Sequence, residues 1–248
     1  MHLRILTYNI HRAIGLDRRF RPERIVEVLK HHDADIVLMQ EVDEGAPRSR
    51  ELDLAREIAE AAGYPHRAVG HNVSLRKGRY GNATLSRHPI ERERNIDLTI
   101  GRRKRRGCQH TTITLEKQAG HPHTLEVFNL HLGLSAAERE FQVGRLVHSG
   151  EFRGLEEGTA CIVGGDFNDW RSLIVPIFTR VLGFGNAANL AGQSRDMKTW
   201  PSFSPSGSLD KLYYRGGLRL LKARRCRLAV SKVASDHLPI VAEFDLSS

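Results

Sequence analysis

The sequence predicts an α/β fold in which two β-sheets pack together and helices cover their outer faces. Strand-like segments outnumber helical ones, and no linker, repeat or low-complexity stretch divides the 248 residues. A sheet buries one face against another layer, so many strands with few helices favour two packed sheets. We therefore expect a single domain over residues 1–248.

Strands and helices alternate in the first quarter of the chain. Leu3–Ile10 and Ala34–Gln40 have the apolar content of buried strands. Arg21–His31 has apolar residues at helical spacing and a proline near its first turn. Leu52–Ala62 has the same spacing, and Gly63 suits the position after a helix end. These segments predict two strand–helix pairs.

Strands dominate from residue 65 onward. A helix is expected after Ser135, because Ser135-Ala-Ala-Glu138 matches the capping box, and a short helix over Ser172–Leu182. Ala187–Gly207 is expected to be a long loop, and such loops are often functional. The predicted strands are His66–Gly70, Asn82–Ser86, Ile90–Leu98, Gln109–Leu115, Leu125–Leu132, Thr159–Val163, Leu209–Tyr214, Leu218–Leu228 and Pro239–Phe244.

The charge of the chain is strongly positive. Lys and Arg number 38 against 29 Asp and Glu, and the net charge of +9 favours anionic partners. The basic run Arg102–Arg106 suits nucleic acid, peripheral contact with an anionic membrane, or simply a solvated loop. No run of about 18 apolar residues exists, so no transmembrane segment is expected. The lack of an apolar signal sequence and the three widely spaced cysteines favour a cytoplasmic location.

Polar residues end, follow or directly precede several of the predicted strands. Carboxylates, amides and imidazoles occupy these positions, where α/β proteins commonly bind ligands. Each one alone has a structural explanation, such as a turn, a cap or a hydrogen-bonded core histidine. Their recurrence at five strand ends favours one shared site. The residues are Asn9, Glu41, Asn129 with His131, Asp166 with Asn168, and Asp236 with His237.

The segment CIVGGDFNDW presents the same choice between turn and site. Strand alternation puts Asp166 and Asn168 on one face and Asp169 on the other, so Asp169 is expected to serve a turn. Gly164 and Gly165 suit a turn whose backbone approaches a phosphate closely.

The side-chain types predict the chemistry of the site. Carboxylate and amide oxygens without cysteine are hard ligands that suit Mg²⁺, for which Mn²⁺ can substitute, and they are poor ligands for zinc. A histidine beside an acid can transfer a proton near neutral pH. A metal, hydrogen-bond donors and a base around an anion describe hydrolysis of a phosphate ester by water.

Seven motifs follow one another between residues 7 and 240: TYNIH, DIVLMQEVD, RYGNATLSRHPI, FNLHL, GGDFND, SLDKLYY and SDHLPI. In this order they resemble the motifs of the endonuclease/exonuclease/phosphatase superfamily, the fold of DNase I. The resemblance implies a four-layer α/β sandwich, with two packed, mostly antiparallel β-sheets flanked by helices and the site at one edge of both sheets. It also implies a Mg²⁺-dependent hydrolase of phosphate esters.

The resemblance assigns five residues to catalysis. Asp166 and Asn168 would position the attacking water and the phosphate, and His131 would bind a phosphate oxygen. His237 would act at the scissile phosphate while hydrogen-bonded to Asp210. Either Asp166 or His237 could activate the water.

The resemblance also implies metal ligands. Glu41 would be the principal ligand, Asn9 would support the metal, and Asp236 would be a further carboxylate on the metal side.

Four more residues are candidates for substrate binding. Asn82 and Arg87 lie in RYGNATLSR and could bind substrate or simply shape the wall of the site. His11 and Arg12 follow Asn9 directly and could reach the substrate.

Nucleic acid is the expected substrate, with cleavage of a phosphodiester. FNLHL resembles the DNase, sphingomyelinase and phosphatase branches, and Val42-Asp43 stands where abasic-site endonucleases carry a lysine. A phospholipid or a small phosphate ester is the alternative substrate. A binding module without catalysis is a remoter alternative. The intact set that disfavours such a module is Glu41, Asp166, Asn168, Asp210 and His237.

Overall fold

The described strands form two six-stranded sheets. The computed structural model describes residues 1–115, 123–188 and 197–246. The strands of the first sheet are β1 His2–Asn9, β2 Ile36–Glu44, β3 His66–Ser74, β4 Arg79–Ser86, β11 Leu218–Arg225 and β12 Ile240–Leu246. Those of the second are β5 Ile90–Asp97, β6 Gly107–Leu115, β7 His123–His131, β8 Cys161–Asp166, β9 Gly185–Asn186 and β10 Asp210–Arg215.

Helices are few and lie outside the sheets. The α-helices are α1 Pro22–His32, α2 Leu54–Ala62, α3 Ala136–Val147, α4 Gly150–Arg153 and α5 Ser231–Ala234. Short 3₁₀ turns cover His11–Ala13 and Pro47–Ser49, and a π-helical turn covers Ile177–Val181. The predicted capping residue is confirmed, because the Ser135 side chain accepts a hydrogen bond from the backbone N–H of Glu138.

Each sheet has one parallel strand pair at its centre. The strand orders are β11-β12-β1-β2-β4-β3 and β5-β6-β7-β8-β10-β9. The parallel pairs are β1 with β2, where Asn9 is opposite Gln40, and β7 with β8, where His131 is opposite Asp166. Parallel neighbours run toward the same edge of a sheet, so Asn9 lies beside Gln40 and His131 beside Asp166. The hydrogen bond from Asn9 to Asp166 shows that these two edges meet.

Three hydrophobic clusters separate the layers. One lies between the first sheet and α1 and α2, one between the two sheets, and one on the outer face of the second sheet with α3 and α4. The order of layers is therefore helix, sheet, sheet, helix, which confirms the predicted four-layer α/β sandwich.

Buried amides join the two sheets just beneath the polar edge. Gln40 Nε2 donates to Asn129 Oδ1 at 2.8 Å, and Asn129 Nδ2 donates to the carbonyls of Met39 and Ala83. Asn82 Nδ2 donates to the Asn129 carbonyl at 3.0 Å. Asn129, one of the predicted strand-end residues, thus bridges the sheets in a network whose donors are satisfied.

The structure corrects two local predictions and confirms a third. Strand β2 does not end at Glu41 but continues to Glu44, and its register shifts between Met39 and Val42. The short helix predicted within Ser172–Leu182 is confirmed, because residues 175–176 are α-helical and the π-helical turn Ile177–Val181 follows them. Gly164 and Gly165 lie within β8 and form no turn. The predicted loop Ala187–Gly207 lies partly outside the described residues, at 189–196.

Candidate active site

Asp166 is the centre of the polar edge. Its carboxylate lies at the end of β8 and is buried, with 1% of the residue exposed. Asn9 Nδ2 donates to Asp166 Oδ2 at 3.0 Å. The same oxygen lies 3.4 Å from His131 Nε2 and 3.7 Å from His237 Nε2. Residues from β1, β7, β8 and the segment before β12 therefore meet at one carboxylate oxygen.

His237 is held by a second buried carboxylate. His237 Nδ1 lies 2.9 Å from Asp210 Oδ2, and the ring N–H donates this hydrogen bond. Burial by itself lowers the pKa of His237, but the negative charges of Asp210 and Asp166 outweigh burial and raise it. Burial raises the pKa of Asp166, against the opposing effect of His237. The geometry fixes the imidazole with Nε2 directed at Asp166.

His131 has a different electrostatic environment. Burial lowers its pKa well below the ordinary value, and the positive charges of Arg106, His237 and Lys104 lower it further. Arg106 is 7% exposed, and its Nε has no hydrogen-bond partner among the described residues. A buried guanidinium with an unused donor beside His131 is suited to bind an anion.

Asn168 reaches the site by a turn and not by strand alternation. Strand β8 ends at Asp166, and Asn168 has a φ of 50°, in the left-handed region. Its backbone N–H donates to Asp166 Oδ1 at 2.9 Å, and its side chain donates to the Leu132 carbonyl. Asp169 serves the turn as predicted, because its Oδ2 accepts from the backbone N–H of Ile174.

Glu41 lies in the bulge of β2, not at a strand end. It has a φ of 56°, and a non-glycine residue in this conformation at a bulge is often found next to a functional site. Its side chain is 16% exposed, and Glu41 Oε2 lies 3.4 Å from Arg12 Nε. Arg12 thus places a cation against the carboxylate predicted to be the main metal ligand.

A metal ion fits the donors at this edge. One ligand atom from each of Asp166, Asp210 and His237 lies within 4.8 Å of the others, so this group could hold a metal ion. Asp210 Oδ1 is buried and has no hydrogen-bond donor among the described residues. A group of two carboxylates and an imidazole with an unused carboxylate oxygen, and with no thiol among these described residues, suits a hard divalent cation.

Two predicted residues support their neighbours. Asn9 Oδ1 accepts from the backbone N–H of His11, and the His11 ring contacts the Ile14 carbonyl. Asp236 Oδ2 accepts from Trp200 Nε1 at 3.3 Å, and Asp236 Oδ1 accepts from Ser235 Oγ. Asn9 and Asp236 lie at the polar edge, and the metal-binding roles predicted for them stay predictions.

Two substrate-binding candidates lie elsewhere. Arg87 follows β4, which runs antiparallel to β2, so it lies beside the start of β2 and pairs there with Asp33. The structure does not bring Arg87 to the site. Asn82 is 1% exposed, and its amide donates to backbone carbonyls of the second sheet. Its observed contacts are structural.

Further residues at the site, which the strand-end pattern does not place there, come from loops. Lys104 and Arg106 belong to the basic run, whose position beside His131 depends on how β5 and β6 are connected. Trp200 contacts Asp236 and stacks edge-on against Trp170, whose exposed fraction is 47%. A search for polar residues at the ends of predicted strands cannot find these residues, because loops bring them to the site.

Known proteins resemble this chain in sequence and in fold. The model of the Endonuclease/Exonuclease/phosphatase family matches residues 6–237. The chain belongs to this family. The YbhP protein of Escherichia coli strain K12 is 30% identical over 261 residues, which cover 98% of this chain and 96% of YbhP.

Solved structures share the fold of this family member. An endonuclease/exonuclease/phosphatase from Beutenbergia cavernae has a TM-score of 0.78 at 20% identity, covering 100% of this chain and 72% of that one. TDP2 of D. rerio, complexed with a single-strand DNA product, has a TM-score of 0.74 at 16% identity, covering 98% and 99%. The mannosyl-6-phosphatase Bt3783 of Bacteroides thetaiotaomicron has a TM-score of 0.72 at 17% identity, covering 98% and 99%.

Within the described residues of this family member, none of the helices is long and apolar enough to cross a membrane.

Proposed function

We propose that the protein is a metal-dependent hydrolase of phosphate esters, and specifically a phosphodiesterase that acts on nucleic acid with Mg²⁺, or Mn²⁺ in its place. The observation that carries the proposal is the meeting of Asn9, His131 and His237 at Asp166 Oδ2, with His237 fixed by Asp210. This arrangement places a base and several donors around a position that a phosphate could occupy.

Glu41, Asn9 and Asp236 would hold the metal. Glu41 is the principal ligand in this proposal, because its carboxylate supplies the negative charge and oxygen atoms that a hard divalent cation prefers. A bound divalent cation would neutralise charge on the phosphate oxygens and favour ionisation of water.

The protein side chains then divide the remaining tasks. Asp166 would accept the proton of the attacking water, because it is the buried carboxylate at the centre of the site and its Oδ2 faces both histidines. His237 donates from Nε2 to a phosphate oxygen, since Nδ1 is engaged by Asp210. His131 and Asn168 are close enough to Asp166 to contact the same phosphate. Arg106 adds a guanidinium beside His131.

The choice of nucleic acid rests on charge and on a structural neighbour. An exposed loop next to the site contains Arg102, Arg103, Lys104 and Arg105. A long polyanion could therefore contact the active site and this loop at the same time. TDP2, which shares the fold, was solved with a single-strand DNA product. Electrostatic contact of this loop with an anionic membrane is the alternative use of the same charge.

A small phosphate ester is the second candidate substrate. It is favoured by the fold shared with a mannosyl-6-phosphatase. We also infer a cytoplasmic location, because all three cysteines are free and buried.

A substrate panel tests the proposal. Purified protein with Mg²⁺ or Mn²⁺ is assayed against plasmid DNA, single-stranded RNA, bis-p-nitrophenyl phosphate, sphingomyelin, inositol phosphates and sugar phosphates. We expect cleavage of nucleic acid that EDTA abolishes. Turnover of lipid or sugar phosphate alone would contradict the nucleic-acid assignment, and no turnover of any member would contradict the hydrolase assignment.

A further inference from the structure

A basic cavity is lined by residues other than those assigned to the active site. It has a volume of about 640 Å³ and lies between the end of α1, the edge strand β11 and residues 197–198. This size is within the range of small-molecule pockets. Among the described residues none of its lining side chains is a carboxylate. The titratable lining residues are His31, His32, Lys198, Arg224, Arg225 and Arg227.

Two of the lining guanidinium groups are already engaged. Arg224 Nη1 donates to Glu243 Oε1 at 2.7 Å, and Arg225 Nη1 donates to the Lys198 carbonyl at 2.6 Å. Lys198 and Arg227 are exposed. Among the described residues, no side chain or carbonyl accepts a hydrogen bond from the Lys198 ammonium or from the Arg227 guanidinium. Their charges are therefore available to a ligand.

His32 is the observation that points to a ligand. Only 4% of this residue is exposed, yet neither ring nitrogen has a hydrogen-bond partner among the described residues. Buried polar groups are nearly always hydrogen-bonded, so this exception requires an explanation. Burial, with the positive charges of His31, Arg224 and Arg4, lowers the pKa of His32 to about 4. A bound anion would supply the missing acceptor.

We propose that this cavity binds a phosphate group other than the one hydrolysed, held by Lys198, Arg227 and a ring N–H of His32. A phosphate offers several oxygens to converging donors, and guanidinium and ammonium groups bind it with charge-assisted hydrogen bonds. The apolar lining residues Met197 and Leu228 leave room for an organic part of the same ligand.

The cavity lies close in sequence to the residues that hold Asp210 and His237. Thr199 follows the lining residue Lys198 and accepts two backbone hydrogen bonds: its Oγ1 from the Asp210 N–H at 3.4 Å, and its carbonyl from the N–H of Leu238, the neighbour of His237. The bound phosphate would thus belong either to a free phosphorylated compound or to a distant part of a nucleic-acid strand held at the active site.

Histidine NMR tests the site without turnover. The full chain, labelled at histidine and kept in EDTA and a phosphate-free buffer, is titrated with inorganic pyrophosphate. We expect saturable shifts of the His31 and His32 ring signals, and an affinity about tenfold weaker in the Lys198→Ala/Arg227→Ala variant. The control variant Lys77→Ala/Arg153→Ala loses the same charge at exposed positions, and we expect it to bind as the wild type does.

The absence of saturable shifts at His31 and His32 would overturn the proposal, as would equal affinity in the cavity variant and the wild type. A single-stranded oligonucleotide of about 12 residues distinguishes the two sources of phosphate. Displacement of pyrophosphate from His32 by this strand identifies nucleic acid as the ligand. Pyrophosphate binding that the strand leaves unchanged identifies a free phosphorylated compound.

Discussion

At the residue scale, the site depends on the orientation of one imidazole. Asp210 accepts the hydrogen bond of His237 Nδ1, so Nε2 is the nitrogen available to a phosphate oxygen. Asp166 Oδ2 lies 3.7 Å from that nitrogen, close enough for both groups to contact one reacting phosphate. Loss of either partner should affect the rate more than the binding of substrate.

We expect His237→Ala to lower kcat about 10²- to 10⁴-fold, because a positioned proton donor is lost. The measurement is steady-state kinetics on the substrate identified by the panel, together with the melting temperature. His148→Ala, at an exposed position, is the matched control and should retain its kcat. A His237→Ala variant with unchanged kcat at saturating metal would contradict the assigned role.

Glu41 is the second residue whose environment determines function. Its carboxylate faces Arg12 in a bulge that holds it at a positive φ. A divalent cation would bind this carboxylate more strongly than the guanidinium does, since it carries twice the charge in a smaller radius.

We expect Glu41→Gln to weaken Mg²⁺ binding at least about tenfold, because the amide keeps the shape but loses the charge. Calorimetric titration with Mg²⁺ provides the measurement, and Glu140→Gln at an exposed helix position is the control. Equal Mg²⁺ affinity in Glu41→Gln and the wild type would remove Glu41 as the principal ligand.

At the element scale, β8 is constrained by the strands beside it and by the facing sheet. A Cβ on Gly165 would lie 2.0 Å from the Leu130 carbonyl oxygen, and Gly165 has a φ of 138°. A Cβ on Gly164 would lie 2.7 Å from the Leu38 side chain of the first sheet. The two glycines allow β8 to approach its neighbours, and this approach places Asp166 among the site residues.

Two glycine substitutions should therefore have opposite effects. We expect Gly165→Ala to lower the free energy of unfolding by on the order of 3 kcal/mol, because strand β7 occupies the space of the new methyl group. Gly144 lies inside α3 with nothing within 4 Å of its Cβ position. We expect Gly144→Ala to raise the same quantity by about 0.5–1 kcal/mol.

Urea denaturation of both variants measures these changes. A Gly165→Ala variant with the same free energy of unfolding as the wild type would contradict the prediction, since it would mean that β7 and β8 can move apart without loss of stability.

At the scale of the whole molecule, the sequence predicts the fold better than the loops. Strand periodicity and helix spacing predicted the layers. Parallel pairing brings His131 beside Asp166, and the packing of the two sheets brings Asn9 to them. Arg87 was misplaced because β4 is antiparallel to β2, so its end lies at the opposite edge. The bulge at Glu41 and the approach of Arg106 to His131 depend on contacts between distant segments, which local patterns do not encode.

The stability of the whole molecule should fall in mild acid because of His32. The folded pKa of His32 is about 4, lowered by burial and then by the charges of His31, Arg224 and Arg4. The unfolded pKa is about 6.5, so between these two values the unfolded state binds more protons than the folded state. This residue therefore costs no stability above about pH 6.5, and its cost grows as the pH falls to about 4.

We expect His32→Gln to lose less stability than the wild type on acidification through that window, since glutamine does not titrate. Urea denaturation at several pH values in a phosphate-free buffer measures the difference, with His148→Gln as the control. Because an anion beside His32 would stabilise its protonated form, adding pyrophosphate should reduce the acid loss of the wild type and leave His32→Gln less affected. Identical pH profiles for the wild type and His32→Gln would show that the imidazole is freely protonated in the folded protein.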